Sequence, residues 1–273
     1  MKKIRLVLAL ALLAVASNAS AVDAYPAAPI RIIVPQEPGG TVDTVTRYFA
    51  NRLEATIGSA VVVENRSGAS GAIGAEFVAR AAPDGYALLA ASTNTQAMVP
   101  HVLRSVRYDP LRDFVPVVNI ASTTTVVLVA PTLPVRSLNE LAALLAGDVS
   151  VLVLTSASAL PYVQSGKANA LAVSRGQRLA AFHRVPTTAE AGFPAFDVRL
   201  WVGLLAPART PPDVVAWLNR EVIRLLREPE VAQWLAASLH QPVGGTPPGF
   251  AATLRADHTR RAEVVASAKI AAQ

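Results

Sequence analysis

Two short loops of this sequence carry residues that could bind an anion. In the first, Gly39 and Gly40 follow a β-branched run and precede Thr41 and Asp43 at a predicted helix start. Unpaired backbone N–H groups at a helix start, next to glycines that a ligand can approach closely, form a concavity that suits a carboxylate or a phosphate. A plain tight turn between a strand and a helix has the same composition, so the spacing alone leaves both interpretations open.

The second loop is a run of polar side chains directly after an apolar run: Ser92, Thr93, Asn94, Thr95 and Gln96. Ligands of open α/β sheets bind at the carboxyl ends of strands, where these hydroxyl and amide groups could hydrogen-bond a carboxylate. A solvated loop is the alternative. The binding-site interpretation is favoured because this loop and Gly39-Gly40 end strands of one predicted sheet. Trp201, on a later extended run, is either a cleft residue or hinge packing.

Other kinds of site find little support in the sequence. The glycines at 68, 71 and 74 fit neither a dinucleotide fingerprint nor a P-loop, and they favour a turn that lets a helix pack closely. There is no cysteine, and the four histidines are not at metal-ligand spacing. No G-x-S-x-G or H-E-x-x-H motif occurs. The sequence therefore predicts no metal, no cofactor and no enzymatic activity, and it disfavours a secreted hydrolase.

The amino terminus predicts export. Lys2, Lys3 and Arg5 precede an apolar run over residues 6–16, and the small residues of 18–21 follow it. This pattern is typical of a signal peptide over residues 1–21, and its apolar run is too short to span a membrane. Much of the net charge of +6 belongs to this leader, so the pI of about 10 is no sign of nucleic-acid binding. We expect a periplasmic protein.

The elements that must position the two loops alternate in type. Strands are predicted at 30–34, 60–64 and 86–91, with helices at 42–57 and 72–81 between them. This βαβαβ order predicts a parallel sheet. Further elements follow: strands at 115–120, 126–130, 149–154, 170–173 and 198–206, and helices at 138–146, around 160–164, from 211, near 229–238 and near 247–266. The extended runs near 117–130 and 198–207 are interpreted as crossovers between two lobes. The apolar fraction of 52% and the charged fraction of 16% exclude a disordered chain.

Taken together, the motifs resemble the periplasmic receptors of tripartite tricarboxylate transporters, the Bug family. The matching stretches span nearly the whole mature chain: 25–35, 38–40 with Asp43, 62–66, 82–86, 108–110 with 113–114, 185–187 with 190–192, and Trp201 with 203–208. The resemblance implies an α/β, two-lobe periplasmic binding protein, type II-like, that closes on a small carboxylate. It implies membrane subunits of such a transporter as partners.

The resemblance also implies where the ligand binds. Backbone N–H groups and hydroxyls of the first and third βα loops would hold it, which carries over to Gly39, Gly40, Asp43, Ser92, Thr93 and Thr95; Thr41, Asn94 and Trp201 complete the predicted site. Gln36 and Glu37 depart from the family pattern, and an acidic Glu37 would oppose anion binding unless it points outward. Lobe 1 is predicted over 22–122 and 204–273, and lobe 2 over 123–203.

One departure from the family is large. The helix at 138–146 runs directly into the strand at 149–154, where the family has further strand–helix pairs, so about two βα units of roughly 30 residues each are missing. The second lobe is therefore predicted to be shortened and to lack a Gly/Ser-rich carboxylate-binding loop. The strand at 149–154 would become an edge strand without Lys, Pro or charge, which predicts self-association.

Two alternatives to an uptake receptor remain open. The same fold could present a ligand to a two-component sensor kinase. The chain could also be a degenerate paralogue that no longer binds solute, for which the missing segment is the main reason.

Overall fold

The computed structural model describes residues 25–144, 151–174 and 178–273. The predicted signal peptide and the junction at 145–150 lie outside them. The strands are β1 Ile30–Val34, β2 Val61–Asn65, β3 Ala87–Ser92, β4 Phe114–Val129, β5 Val151–Thr155, β6 Asn169–Val173, β7 Arg199–Pro207 and β8 His240–Gly244. The helices are α1 Thr41–Ile57, α2 Ala72–Ala79, α3 Val99–Val102, α4 Leu138–Leu144, α5 Ser156–Gln164, α6 Pro212–Leu226, α7 Pro229–Ala237 and α8 Pro247–Ser267.

The first three strands form the predicted parallel sheet. β1 lies between β2 and β3 and is parallel to both, and β7 continues the sheet from β3 in the antiparallel direction. Successive β1 side chains point to opposite faces, as the strand period requires. Ile32 packs with α1 and α6, whereas Ile33 packs with α2 and α8. The sheet is thus covered by helices on both faces, which explains why its strands are mostly apolar.

β4 is one strand of 16 residues that contains both predicted apolar runs and agrees with the extended run expected near 117–130. The residues between the two apolar runs, Ala121–Thr125, are mostly polar. Thr123, Thr124 and Thr125 are nevertheless buried and extended. Threonine is β-branched and fits a pleated strand, so the polar segment continues the strand instead of ending it. The first part of β4 pairs with β7 on one side and β8 on the other.

The last part of β4 carries the second lobe. β5 and β6 pair with opposite edges of residues 125–129, both antiparallel to β4. The sequence predicted that β5 would be an edge strand, and it is one, although its apolar run is typical of a parallel strand buried on both faces. β4 is its only strand partner among the described residues, and Leu152 and Val153 are 51% and 47% exposed. Position at the sheet edge, not hydrophobicity, sets its exposure.

The buried hydrophobic residues form separate clusters, and these clusters follow the same division between the two halves of β4. Two clusters surround the β1–β3–β7 sheet, and two smaller ones surround the outer half of β4, with Val126 and Val127 on opposite sides of it. This separation supports our proposed division into lobes near residue 123, with β4 and β7 as the crossovers. Within the described part of the chain, no helix is long and apolar enough to cross a membrane.

Candidate functional site

Two adjoining cavities lie where β1 and β3 end and β4 and β7 cross. The first, here called the loop cavity, has a volume of about 200 Å³ and is lined by Gln36, Thr41, Val42, Ser92, Thr93, Asn94, Thr123, Thr155, Leu200, Trp201, Val202 and His240. The second, the helix cavity, has about 320 Å³ and is lined by Gly39, Gly40, Thr41, Thr44, Ala157, Ser158, Leu160, Ala237, Ser238, Leu239 and His240. Thr41 and His240 line both.

The first predicted loop is held in place by Asp43. Its carboxylate accepts hydrogen bonds from the Gly39 N–H at 2.9 Å, from Arg47 Nε at 3.0 Å and from Asn65 Nδ2 at 2.9 Å. Burial alone would raise the pKa of Asp43, but these donors outweigh it and hold that pKa below its usual value. The carboxylate therefore braces the loop and lines neither cavity. Gly39 adopts a φ of 84°, which favours glycine.

The start of α1 faces the cavities with its backbone open. Gly40 is the N-cap residue and makes no side-chain cap hydrogen bond. The first N–H groups of a helix have no partner within the helix, so they are available to an acceptor in the adjoining space. Gly40, Thr41 and Val42 all line one or both cavities. The sequence prediction of N–H donors next to open glycine backbone agrees with this arrangement.

The second predicted loop divides into residues on the cavity wall and a residue behind it. Ser92, Thr93 and Asn94 line the loop cavity. Thr95 is fully buried, and its hydroxyl accepts the Ser92 N–H at 3.2 Å and donates back to the Ser92 carbonyl. Thr95 thus shapes the loop from behind. The Ser92 hydroxyl has no hydrogen-bond partner in the described chain although it is buried, so it is a free group on the cavity wall.

Trp201 fulfils both roles that the sequence left open. It lines the loop cavity, but its indole Nε1 donates to Asp257 at 2.6 Å and its ring packs edge-on against Phe250 at 5.0 Å. Both of those residues belong to α8. The indole therefore connects β7 to α8, and its contact with Phe250 fixes the position of the ring.

The second lobe supplies hydroxyl groups to the opposite wall. Thr123 of β4 and Thr155 at the end of β5 line the loop cavity, and Ser158 of α5 lines the helix cavity. Thr155 is the N-cap of α5, because its Oγ1 accepts the Ser158 N–H at 3.3 Å. The sequence predicted that the second lobe would supply only a reduced wall of the site. In the structure, residues of β4, β5 and α5 line the cavities on that side.

His240 was missed by the sequence analysis. It begins β8, a strand that was not predicted because its residues, His-Gln-Pro-Val-Gly, show no clear strand pattern. Its side chain is 6% exposed, and neither ring nitrogen has a hydrogen-bond partner within the described residues. Burial lowers the pKa of His240, and the nearby Ser238 backbone only partly opposes that effect. A lone histidine on a short, irregular segment gives no sequence signal of a site.

The lining of both cavities mixes polar and apolar side chains and carries no fixed charge among the described residues. Glu37 is exposed and is absent from either lining, so the acidic side chain that would oppose an anion lies outside. Gln36, the other departure from the family pattern, lines the loop cavity. An anion here would be held by N–H and O–H dipoles instead of by an ion pair, as at other helix-start sites.

The third glycine cluster has the packing role that the sequence favoured. A Cβ added at Gly71 would lie 2.7 Å from Thr95 Cγ2, and one at Gly74 would lie 2.7 Å from the Arg66 carbonyl oxygen. These glycines let α2 approach the neighbouring loops closely. The Ser70 carbonyl beside them accepts a hydrogen bond from Asn94 Nδ2 at 3.1 Å. The cluster thus supports the second loop from outside the cavities.

Comparisons with known proteins cover most of the chain. The family model described as "Tripartite tricarboxylate transporter family receptor" matches residues 45–143 and 139–266. Protein BugT of Bordetella pertussis is 31% identical over an alignment of 275 positions that covers 82% of this chain and 84% of that protein. The two stretches of the family match meet at residues 139–143, next to the junction where the sequence analysis predicts missing units.

Solved structures give the same result. The structure of R. palustris Rpa4515 with adipate aligns with a TM-score of 0.81 and 28% identity, covering 91% of this chain and all of that one. MatC from Rhodopseudomonas palustris with bound malate aligns with a TM-score of 0.78 and 26% identity, covering 88% of this chain and all of that one. BugD, at 24% identity and a TM-score of 0.80, shares the fold.

Proposed function

The chain belongs to the tripartite tricarboxylate transporter receptor family, and from that premise we propose that it captures a small carboxylate in the loop and helix cavities for an uptake system of this type. It is a solute-binding receptor, and its ligand is released to the membrane subunits of the transporter. Receptors of this kind do no chemistry on the ligand; they hold it reversibly.

The observation that carries this proposal is the chemistry of the cavity wall. Backbone N–H groups at the start of α1 and the free hydroxyl of Ser92 converge at the carboxyl ends of β1 and β3. Hydrogen-bond donors without fixed charges suit an anion that must be bound and later released. The adipate and malate in the two R. palustris structures are carboxylates of the expected size class.

Each lobe would contribute a different part of the binding site. Lobe 1, residues 22–122 and 204–273, provides the two loops; lobe 2, residues 123–203, provides the opposite wall with Thr123, Thr155 and Ser158. β4 and β7 form the hinge between them. The shortening of lobe 2 is supported by the family match, which divides into two stretches that overlap at residues 139–143. We propose that α5 and the end of β5 serve as the wall that a longer second lobe would otherwise supply.

We propose a periplasmic location from the signal peptide over residues 1–21. Membrane subunits of a tripartite tricarboxylate transporter, which would receive the ligand there, are the expected partners. Neither a nucleic acid nor a cofactor is part of the proposal.

A ligand-dependent unfolding experiment tests the function. The mature protein is heated alone and with adipate, malate or citrate, and with glucose as an uncharged control. A ligand that binds only the folded state at 100 times its Kd adds about 2.7 kcal/mol of stability and raises Tm. We expect a rise with at least one carboxylate and none with glucose. No rise with any carboxylate, even at millimolar concentration, would support the degenerate-paralogue alternative instead.

A further inference from the structure

His240 lies at the one place where the loop cavity and the helix cavity adjoin on the β8 side. It is opposite Thr123 in the pairing of β8 with β4, and it is the only β8 residue that is buried. Leu239, just before it, has a φ of 57° and turns the chain from α7 into the strand. A turn of this kind sets the direction of the next side chain, and His240 lines both cavities.

The hydroxyl and carbonyl groups around His240 are already hydrogen-bonded to one another. Thr123 Oγ1 donates to the Leu239 carbonyl at 3.2 Å, and Ser156 Oγ reaches the same carbonyl at 3.4 Å. Neither ring nitrogen of His240 has a partner within hydrogen-bond distance and angle in the described chain, although the Ser238 backbone lies near the ring. Burying an unpaired polar group costs stability, so such a group in a cavity wall indicates a partner that arrives with a ligand.

Among the described residues, no charged side chain near His240 is available to pair with a ligand in its place. The lining residues that belong to α1, β4, α5 and α7, or that follow α7 directly, include no ionisable side chain: Thr41, Val42, Thr44, Thr123, Ala157, Ser158, Leu160, Ala237, Ser238 and Leu239. Asp43 is engaged by Gly39, Arg47 and Asn65; Glu228 and Glu230 bind Arg52, and Glu221 binds Arg220 and Arg224. His240 is therefore the single titratable residue in the described lining.

We propose that His240 contacts the bound carboxylate where the two cavities meet, and that it takes up one proton from solvent when the ligand binds and returns it on release. This inference rests on the proposed function. In the ligand-free protein, burial favours the neutral imidazole. A carboxylate placed beside the ring favours the imidazolium, because opposite charges attract strongly where water is excluded. The ligand thereby gains one charged hydrogen bond without a fixed charge in the protein.

The sign of the pH effect follows from this coupling. The pKa of His240 is higher with the ligand than without it, so the bound state holds more protons between the two values. Affinity should rise as pH falls through that interval, by up to about tenfold per pH unit, and level off below it. A wall built only of neutral donors would give an affinity independent of pH in the same range.

Isothermal titration calorimetry tests the proposal. Adipate and malate are titrated into wild-type protein, His240→Gln and His258→Gln, from pH 6 to pH 8, in two buffers with different heats of ionisation. We expect proton uptake of up to one per ligand in the wild type, none in His240→Gln, and about 10- to 100-fold weaker binding in that variant. His258 is the matched control, because its pKa is also lowered by burial but it lines neither cavity.

Two further results keep the test decisive. His240→Leu removes the unpaired nitrogens, so its ligand-free Tm should equal or exceed that of the wild type while carboxylate binding weakens; this separates a binding role from a folding role. Wild-type binding without proton uptake, or equal affinity and pH dependence in His240→Gln, would overturn the inference and leave the proposed function intact. Failure of the wild type to bind either carboxylate would overturn both.

Discussion

The backbone N–H of Trp201 donates a hydrogen bond to Thr93 Oγ1 at 3.1 Å, although the two residues are 108 positions apart in the chain. The bond joins the loop after β3 to the crossover strand β7. Because the Thr93 oxygen accepts this bond, its own O–H remains free to donate to a ligand in the loop cavity. One hydroxyl thus stabilises the contact between the loop and β7 and contributes to the proposed site.

Replacing the Thr93 hydroxyl should lower the free energy of unfolding and also weaken ligand binding. Thr93→Val leaves the Trp201 N–H buried without an acceptor, and we expect a loss of about 1–3 kcal/mol in the free energy of unfolding. Thr93→Ser keeps the acceptor and should restore most of it. Urea unfolding measures the stability of both Thr93 variants. Thr253→Val is the control, since its hydroxyl bonds a helix carbonyl at the surface, and a similar loss there would show that the Thr93 contact has no special role.

Gly40 tests whether the start of α1 binds the ligand. A Cβ at this position would lie 3.7 Å from the Glu37 carbonyl oxygen and 3.9 Å from Gln36 Oε1, which are ordinary contacts, so Gly40→Val should fold. Its side chain should still block the approach of a carboxylate to the N–H groups and lower affinity by tenfold or more, on the order of 1.4 kcal/mol. Calorimetry with adipate or malate measures this effect.

Glu37→Ala is the matched control in the same loop. Glu37 is exposed and lies outside both linings, so its removal should leave affinity nearly unchanged. Tighter binding of dianions in Glu37→Ala would instead place its carboxylate near the ligand. Unchanged affinity in Gly40→Val would remove α1 from the site.

Asp43 should matter through the loop it braces. Asp43→Ala removes the acceptor of the Gly39 N–H and the partner of Arg47, and we expect a loss of about 2 kcal/mol at neutral pH. The folded-state pKa of Asp43 is lowered, so its contribution is complete above the ordinary carboxyl value near 4 and is lost as pH falls through the lowered one. The wild-type and variant unfolding curves should therefore converge in acid.

Asp213→Ala serves as the control for that experiment. Asp213 also lies in the first turn of a helix, α6, but it is exposed. Unfolding measured from pH 2 to pH 7 should show a small and nearly constant effect there. A constant difference between wild type and Asp43→Ala down to pH 2 would contradict the proposed bracing by the ionised carboxylate.

The exposed edge of β5 should promote self-association. Its outward residues Leu152 and Val153 carry no charge, and an unpaired strand edge can pair with a second copy. Leu152→Lys should shift any dimer towards monomer in light scattering. It is a better position than Val151, which packs against the core beside β4. Val62→Lys on the other edge strand, β2, is the control, because Glu64 already places a charge on that edge. A wild-type monomer at millimolar concentration would contradict this prediction.

The sequence was most informative where local pattern and tertiary environment agree. The alternation of β1, α1, β2, α2 and β3 was predicted because strand and helix periods are local properties, and the parallel order followed from chain connectivity. The convergence of Gly40 and Ser92 followed from the same rule, since the carboxyl ends of neighbouring parallel strands meet. Polar residues in β4 were less informative: Thr123–Thr125 lie between two apolar runs, and their burial against neighbouring strands is visible only in the structure.

The family, most of the order of the elements and the two loops that face the cavities could be predicted from the sequence alone. Those predictions depend on spacing and on residue types that lie close together in the chain. Three features became clear from the tertiary structure alone: Asp43 and Thr95 support the loops from behind, β5 is antiparallel to β4, and His240 lies between the two cavities. Each of these depends on which distant segment occupies the neighbouring space, and hydrogen-bond partners such as Leu239 and Thr123, 116 positions apart, leave no local pattern in the chain.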